Sequence, residues 1–241
     1  MVDIHCHILP GFDDGADNFE EALRMARIAA GGGTKAIIVT PHSNIPDSYQ
    51  NYLDKSYVDT FKELKAKIKE QKIPVKIYPG HEIFATDDII EPIKRKRLLT
   101  LCGSDYPLVE FGFRERSESV YQKLQILVAE GLTPIIAHPE RYAFVFENGS
   151  APLILKKMGC LLQVNKGSLK NKFGSNAYDV SQALIRREVA DFVASDAHSP
   201  YMRTPYLADA HEIVCELHSE QYADLLLSTN PEKVLKNEKI K

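Results

Sequence analysis

Histidines and carboxylates recur in this sequence at the ends of short apolar runs, beginning with Met1-Val2-Asp3-Ile4-His5-Cys6-His7. Residues two apart on a strand point to one face, so His5 and His7 can converge on one centre. A neutral imidazole is a common ligand for divalent metals, and two at this spacing make half a site. His-x-His alone is short enough to arise by chance. Its weight here comes from repetition. His42 follows Ala36–Thr40 and Pro41, Glu82 follows Val75–Tyr78, and Glu110 lies in Tyr106–Phe111. His138 follows Thr133–Ala137, Asp196 and His198 follow Asp191–Ser195, and Asp14 stands beside Asp13 in the first loop. Five of the 8 histidines fall in this set, leaving His81, His211 and His218 outside it. His81 neighbours Glu82, but adjacent strand residues point apart, so it reads as structural or surface; the other two read as solvated.

Nine nitrogen and oxygen donors exceed what one tetrahedral zinc can use and suit two or three divalent ions sharing a carboxylate. Imidazole mixed with carboxylate, without a cysteine pair, suits manganese, iron or zinc. Clustered ions of this kind lower the pKa of a bound water and clamp a transferring phosphoryl group. Arg141 lies three residues past His138 and Arg203 five past His198, on loops at the same strand ends. A guanidinium matches phosphate with paired donors, although either arginine taken singly reads nearly as well as a surface salt-bridge residue.

The elements that must carry these groups alternate. Asn18 followed by Glu21 predicts a capped helix whose apolar positions end at Gly31-Gly32-Gly33. Periodicity predicts further helices over 55–71, around 87–96 and 118–130, near 152–158, before Asp191 and from Thr204 onward. Seven strands alternating with helices argue for a parallel α/β sheet closed into a barrel, with the polar strand ends forming the site; a doubly wound open sheet is the alternative. At 241 residues, one domain over 1–241 accommodates this. A net charge of −3 provides no bulk attraction to nucleic acid or anionic membrane. No apolar run spans a bilayer and no leader pattern is seen, so the expectation is a cytoplasmic protein without membrane insertion. Cys6, Cys102, Cys160 and Cys215 form no C-x-x-C pair, and none has Arg six positions on, which excludes the Cys-x5-Arg cradle of thiol phosphatases. Alternation turns Cys6 away from the histidines, as a small buried hydrophobe.

The sequence resembles the PHP (polymerase and histidinol phosphatase) superfamily, and within it the bacterial metal-dependent tyrosine-protein phosphatases of the CpsB/CapC type. The stretches that carry the likeness are Asp-Ile-His-Cys-His (3–7), Asp-Asp-Gly (13–15), Thr-Pro-His (40–42), Gly-His-Glu-Ile (80–83), Val-Glu-Phe (109–111), Ile-Ala-His-Pro-Glu-Arg-Tyr (136–142) and Ala-Ser-Asp-Ala-His (194–198). The resemblance implies a distorted seven-stranded (β/α)7 barrel of the PHP type. It implies one ion on His5, His7, Glu82 and Asp196, a second on Glu82, Glu110 and His138 with Glu82 bridging, and a third on Asp14, His42 and His198. The choice of Asp14 over Asp13 rests on the resemblance alone. Manganese is the first expectation, with iron, zinc or magnesium as alternatives. Arg141 and Arg203 match positions that hold phosphate. The implied reaction is hydrolysis of phosphotyrosine, on a bacterial tyrosine autokinase controlling capsular or extracellular polysaccharide synthesis. Gly31-Gly32-Gly33 and Ser43-Asn44 depart from the pattern without touching a proposed ligand.

Two other functions compete. A small-molecule phosphatase such as histidinol-phosphatase could use the same site, although the Val-Glu-Phe and Pro-Glu-Arg-Tyr contexts favour the tyrosine phosphatase. A non-catalytic metal-binding regulator of a kinase is disfavoured by the intact donor set. A nucleic-acid phosphodiesterase gains little electrostatic support from a negative chain. Composition and motifs leave the oligomeric state open.

Overall fold

The computed structural model describes residues 1–240. Its strands are β1 (Val2–Cys6), β2 (Ala36–Val39), β3 (His42–Ser43), β4 (Lys76–Pro79), β5 (Glu82–Phe84), β6 (Leu108–Glu110), β7 (Ile135–Ala137), β8 (Leu161–Asn165) and β9 (Phe192–Ala194). All pairings are parallel, in a three-stranded sheet ordered β1-β2-β4 and a six-stranded sheet ordered β3-β5-β6-β7-β8-β9. The fold is therefore mixed α/β with parallel sheets, as the strand–helix alternation predicts.

Strand residues of alternate parity separate into different packing layers, the consequence of a two-residue period. Val2, Ile4, Ala36, Ile38, Leu108, Ile135, Ala137, Phe192 and Ala194 share one apolar cluster. Ile37, Val39 and Ile77 pack instead with helical Leu23, Met25 and Leu64, and Ile83, Val109, Ile136, Leu162 and Val193 with helical Leu124, Leu127 and Leu184. Both faces are covered, which is why the strands read as unbroken apolar runs.

The helices obey local rules. Asn18 caps the helix Phe19–Gly31 by accepting from the Glu21 N–H, and Asp54 caps Lys55–Glu70 by accepting from the Tyr57 N–H. The Glu21 carboxylate accepts from the Asp17 N–H at 3.3 Å, one residue earlier than a reciprocal capping box requires. The helix predicted around 87–96 is limited to Ile90–Lys94.

The described residues form nine strand segments where seven strands are predicted; the two beyond the prediction are β3 and β5, just past the ends of β2 and β4. Between β2 and β3 stand Thr40 and Pro41, and proline contributes no N–H to a ladder. Between β4 and β5 stand Gly80 and His81. There the Tyr57 hydroxyl donates to the Gly80 carbonyl (2.9 Å) and accepts from the Gly80 N–H (3.1 Å), replacing the lost sheet partners. A Cβ at Gly80 would meet Ile38 Cγ2 at 3.0 Å. His81 is fully buried against the Tyr57 ring and accepts at Nδ1 from the Leu99 N–H, so of its two readings the structural one is correct. These breaks put His42 and Glu82 on short strands of their own, in register with each other.

At the far edge the chain leaving β9 returns to β1. The Asp196 N–H donates to the His5 carbonyl and the His7 N–H to the Ala197 carbonyl, both at 2.9 Å. Below them the buried Asp3 carboxylate accepts from the Ser195 hydroxyl (2.5 Å) and N–H (3.1 Å). Cys6, turned away from the histidines, is fully buried in the apolar layer.

Candidate metal centre

β1 delivers His5 and His7 with their Nε2 atoms 3.1 Å apart. Both nitrogens face the same two oxygens. His5 Nε2 lies 3.2 Å from Glu82 Oε2 and 3.5 Å from Asp196 Oδ1; for His7 Nε2 the distances are 3.3 and 3.4 Å. The outer nitrogens are held by acceptors: His5 Nδ1 donates to Gln163 Oε1 (2.8 Å) and His7 Nδ1 to Asp13 Oδ2 (2.6 Å). That fixes the tautomer and turns each Nε2 lone pair inward. His198 is held likewise, with Nδ1 donating to the Asp196 carbonyl (3.1 Å) and Nε2 3.4 Å from Asp14 Oδ1. An imidazole whose rear N–H is engaged and whose front lone pair is free is the usual state of a metal-ligating histidine.

Donor atoms converge in three groups, each within 4.8 Å: His5, His7 and Asp196; His7, Asp14, His42 and His198; and His42, Glu82 and Glu110. His42 Nδ1 is 2.9 Å from Glu82 Oε2 and 2.8 Å from Glu110 Oε1, while its Nε2 is 3.6 Å from Asp14. His138 joins through Glu82 Oε1, 2.9 Å from its Nε2. All nine residues singled out in the sequence thus meet in one cluster. The grouping differs in detail from that implied by the resemblance: His42 stands beside Glu82 and Glu110, where His138 was expected.

The loop after β1 distinguishes the two aspartates. The Asp13 carboxylate is buried and accepts from His7 Nδ1, from the His42 N–H (2.8 Å) and from the Gly15 N–H (3.0 Å). Asp14 is half-exposed and faces His42 and His198. Only glycine fits at position 15, because a Cβ there would lie 2.1 Å from the His7 carbonyl oxygen. Backbone strain supplies two more directions. His138 and Asp196 adopt left-handed φ of 37° and 48°, costing on the order of 1–3 kcal/mol each.

The charge balance asks for cations. Burial opposes ionisation of Glu82 and Asp196, but the facing imidazoles, with Arg203 for Asp196, hold both carboxyls well below their usual range. Burial likewise opposes charge on His7 and His42, yet the carboxylates prevail, raising His7 well above its ordinary value and His42 to about 10. Glu110 is pushed up by burial and by neighbouring Glu82, and burial takes His138 down to about 4. Among the described residues Glu82 Oε2 has no well-oriented hydrogen-bond partner, although three imidazole nitrogens crowd it. A buried carboxylate cluster of this kind is neutralised by protons on imidazoles or by metal ions, and the inward lone pairs fit metal ions.

Asp196 connects the cluster to the arginines. Its Oδ1 faces the histidines, and its Oδ2 lies 2.5 Å from Arg203 Nη2 and 3.6 Å from Arg141 Nη1 and accepts from Asn165 Nδ2. Lys166 donates to the carbonyls of Thr204 (2.6 Å) and Tyr206 (2.9 Å), pinning the loop that carries Arg203. Gln163, Asn165 and Lys166, none of them foreseen from the sequence, come from β8 and its exit. Their one sequence signal is Gln163, a polar residue inside Leu161-Leu162-Gln163-Val164. His211 and His218 lie away from the cluster, paired with Asp224 (3.0 Å) and Glu188 (2.7 Å).

Comparison with known proteins finds similarity along nearly the whole chain. Residues 1–236 match the profile of a family described as capsular polysaccharide synthesis, CpsB/CapC. The tyrosine-protein phosphatase YwqE of Bacillus subtilis is 34% identical over 100% of this chain and 93% of its own length. The tyrosine-protein phosphatase CpsB of Streptococcus pneumoniae is 29% identical, with 100% of both chains covered. A chain from the crystal structures of YwqE from Bacillus subtilis and CpsB from Streptococcus pneumoniae, described as metal-dependent tyrosine phosphatases, superposes with a TM-score of 0.92 at 33% identity, covering 100% of this chain and 96% of that one. A phosphotriesterase homology protein from Escherichia coli shares the fold alone, with a TM-score of 0.62 at 12% identity over 96% of this chain and 97% of that one.

Proposed function

The chain belongs to the CpsB/CapC family of capsular polysaccharide synthesis, and we propose that it is a metal-dependent protein-tyrosine phosphatase. The observation that carries this reading is the convergence of three donor groups beside two arginines that share one carboxylate, Asp196. Two or three ions, manganese first, would be held by His5, His7, Glu82 and Asp196, by Glu82, Glu110 and His138, and by Asp14, His42 and His198; the observed distances add His42 to the second set and His7 to the third. When bound, such ions neutralise phosphoryl charge and lower the pKa of water.

The remaining work falls to side chains. Arg141 and Arg203 present N–H donors that hold phosphate oxygens and strengthen as charge develops on them. Asp13 and Gln163 keep His7 and His5 in the tautomer that faces the centre. The tyrosinate leaves with a pKa near ~10, low enough for weak acid assistance to suffice. Phosphotyrosine on a bacterial tyrosine kinase, in the cytoplasm, is the substrate this reading favours. We read the nine strand segments as seven strands of one distorted (β/α)7 barrel in a single domain. The in-line pairs β2/β3 and β4/β5 support this, as do the hydrogen bonds between β1 and the exit of β9.

The test is hydrolysis of a phosphotyrosyl peptide beside histidinol phosphate, before and after chelation. Activity on the peptide should vanish with the metal and return with manganese. Full activity in a verified metal-free sample would overturn the reading.

A further inference from the structure

Phe173 lies beyond β8, on the turn between the short helix Lys166–Leu169 and the helix Ser175–Arg186. Its ring touches both arginines. The Arg141 guanidinium carbon is 4.3 Å from the Phe173 centroid and 4.5 Å from that of Phe113, so it sits against both aromatic rings. The Arg203 guanidinium carbon is 5.5 Å from the same Phe173 ring. Arg203 is paired through Nη2 with Asp196 Oδ2 (2.5 Å), while its buried Nε has no hydrogen-bond partner among the described residues.

We propose that Phe173 is a positioning residue for the phosphate-binding arginines, seated by Gly167. The inference rests on the phosphatase reading above. Two guanidinium groups near one point repel each other, and hydrogen bonds to fix them would consume the N–H donors that phosphate needs. An aromatic ring attracts each cation through its face and leaves the in-plane N–H groups free. Among the described residues, Asp196 is the one carboxylate that pairs with both arginines. The ring can occupy this place because residue 167 lacks a side chain: a Cβ on Gly167 would stand 2.4 Å from Phe173 Cε2. The seat is tied to the same carboxylate, since Asn165 accepts from the Gly167 N–H (2.8 Å) while its amide donates to Asp196.

Calorimetric binding of orthophosphate to the manganese-loaded protein tests this, with kcat and KM for a small aryl phosphate and metal content from the same preparations. Phe173→Leu should weaken orthophosphate binding by about tenfold, within the range of a partly desolvated cation–π contact, and lower kcat without loss of metal. Phe173→Tyr, which keeps the face, should restore both. Gly167→Ala keeps the backbone bond to Asn165 and displaces only a partly exposed ring, so it should fold and reproduce the Phe173→Leu defect. In an Arg141→Lys background the Leu substitution should cost less than in the wild type, because only the more distant Arg203 contact remains to be lost. Wild-type orthophosphate affinity in both Phe173→Leu and Gly167→Ala, or a full additional loss in the Arg141→Lys background, would overturn the proposal. Phe173-dependent orthophosphate binding in a protein that hydrolyses no phosphotyrosine would sustain the positioning role and sink the phosphatase reading. Hydrolysis of phosphotyrosine unaffected by Phe173→Leu would do the reverse.

Discussion

Replacing Asp13 by Asn should weaken metal binding without removing a metal ligand. The Asp13 carboxylate is buried and accepts three hydrogen bonds, from His7 Nδ1 at 2.6 Å, the His42 N–H at 2.8 Å and the Gly15 N–H at 3.0 Å. The asparagine amide retains one acceptor oxygen, so at least one of these bonds is lost and the negative charge behind His7 disappears. A hydrogen bond to a charged group contributes about 1.5–3 kcal/mol. Loss of an outer partner of a ligating histidine typically costs about 10- to 100-fold in metal affinity, the same range expressed as a ratio. A manganese titration of activity, paired with direct metal analysis, should therefore shift its midpoint upward by about 10- to 100-fold for Asp13→Asn, with maximal activity recovered at high metal. Asp14→Asn, at a position that faces His42 and His198 directly, should lose maximal activity that excess metal does not restore. The reasoning fails if Asp13→Asn titrates like the wild type, or if the two substitutions exchange these behaviours.

Glu82→Ala should remove metal and activity together, whereas His81→Ala should retain metal and lose about 1–3 kcal/mol of stability, because it breaks the buried bond to Leu99; equal metal loss in both, by elemental analysis, contradicts the assignment. Arg141→Lys and Arg203→Lys should each lower turnover by about 10²- to 10³-fold at unchanged metal content, as measured by steady-state kinetics; wild-type rates in both would return the arginines to a salt-bridge role. The pH dependence of stability should carry a signature of Glu140, whose carboxyl is raised to about 7 by burial, with the hydrogen bond it accepts from the Asn165 N–H (2.9 Å) only partly offsetting. A raised acid contributes stability that is complete below the unfolded pKa near ~4.3 and is lost as pH rises through the folded value. Denaturant titrations should show the wild type losing about 1–3 kcal/mol relative to Glu140→Gln between pH 4.5 and 8; parallel curves would refute it.

What local sequence could determine was determined by short-range rules. Strand positions follow from apolar runs, because both faces of a parallel sheet are covered. The cap at Asn18 follows from one side chain and its own helix. Eight of the nine donor residues were legible because each lies at or near the end of an apolar run; Asp14, in the first loop, was singled out only through the resemblance. Tertiary structure alone decided the rest. Pro79-Gly80 closes the strand Val75–Tyr78 in the sequence, but nothing there announces that a further segment, Glu82–Phe84, follows or that the Gly80 backbone is satisfied by the hydroxyl of Tyr57, on another element. The roles of Asp13 and Asp14 depend on how Gly15 folds the loop back onto His7. Gln163 finds His5 across 158 residues, and Phe173 finds Arg141 only after β8 and β7 take their parallel register. Residue type and period are properties of a segment, whereas the partner of a buried nitrogen or guanidinium is set by which strands lie side by side.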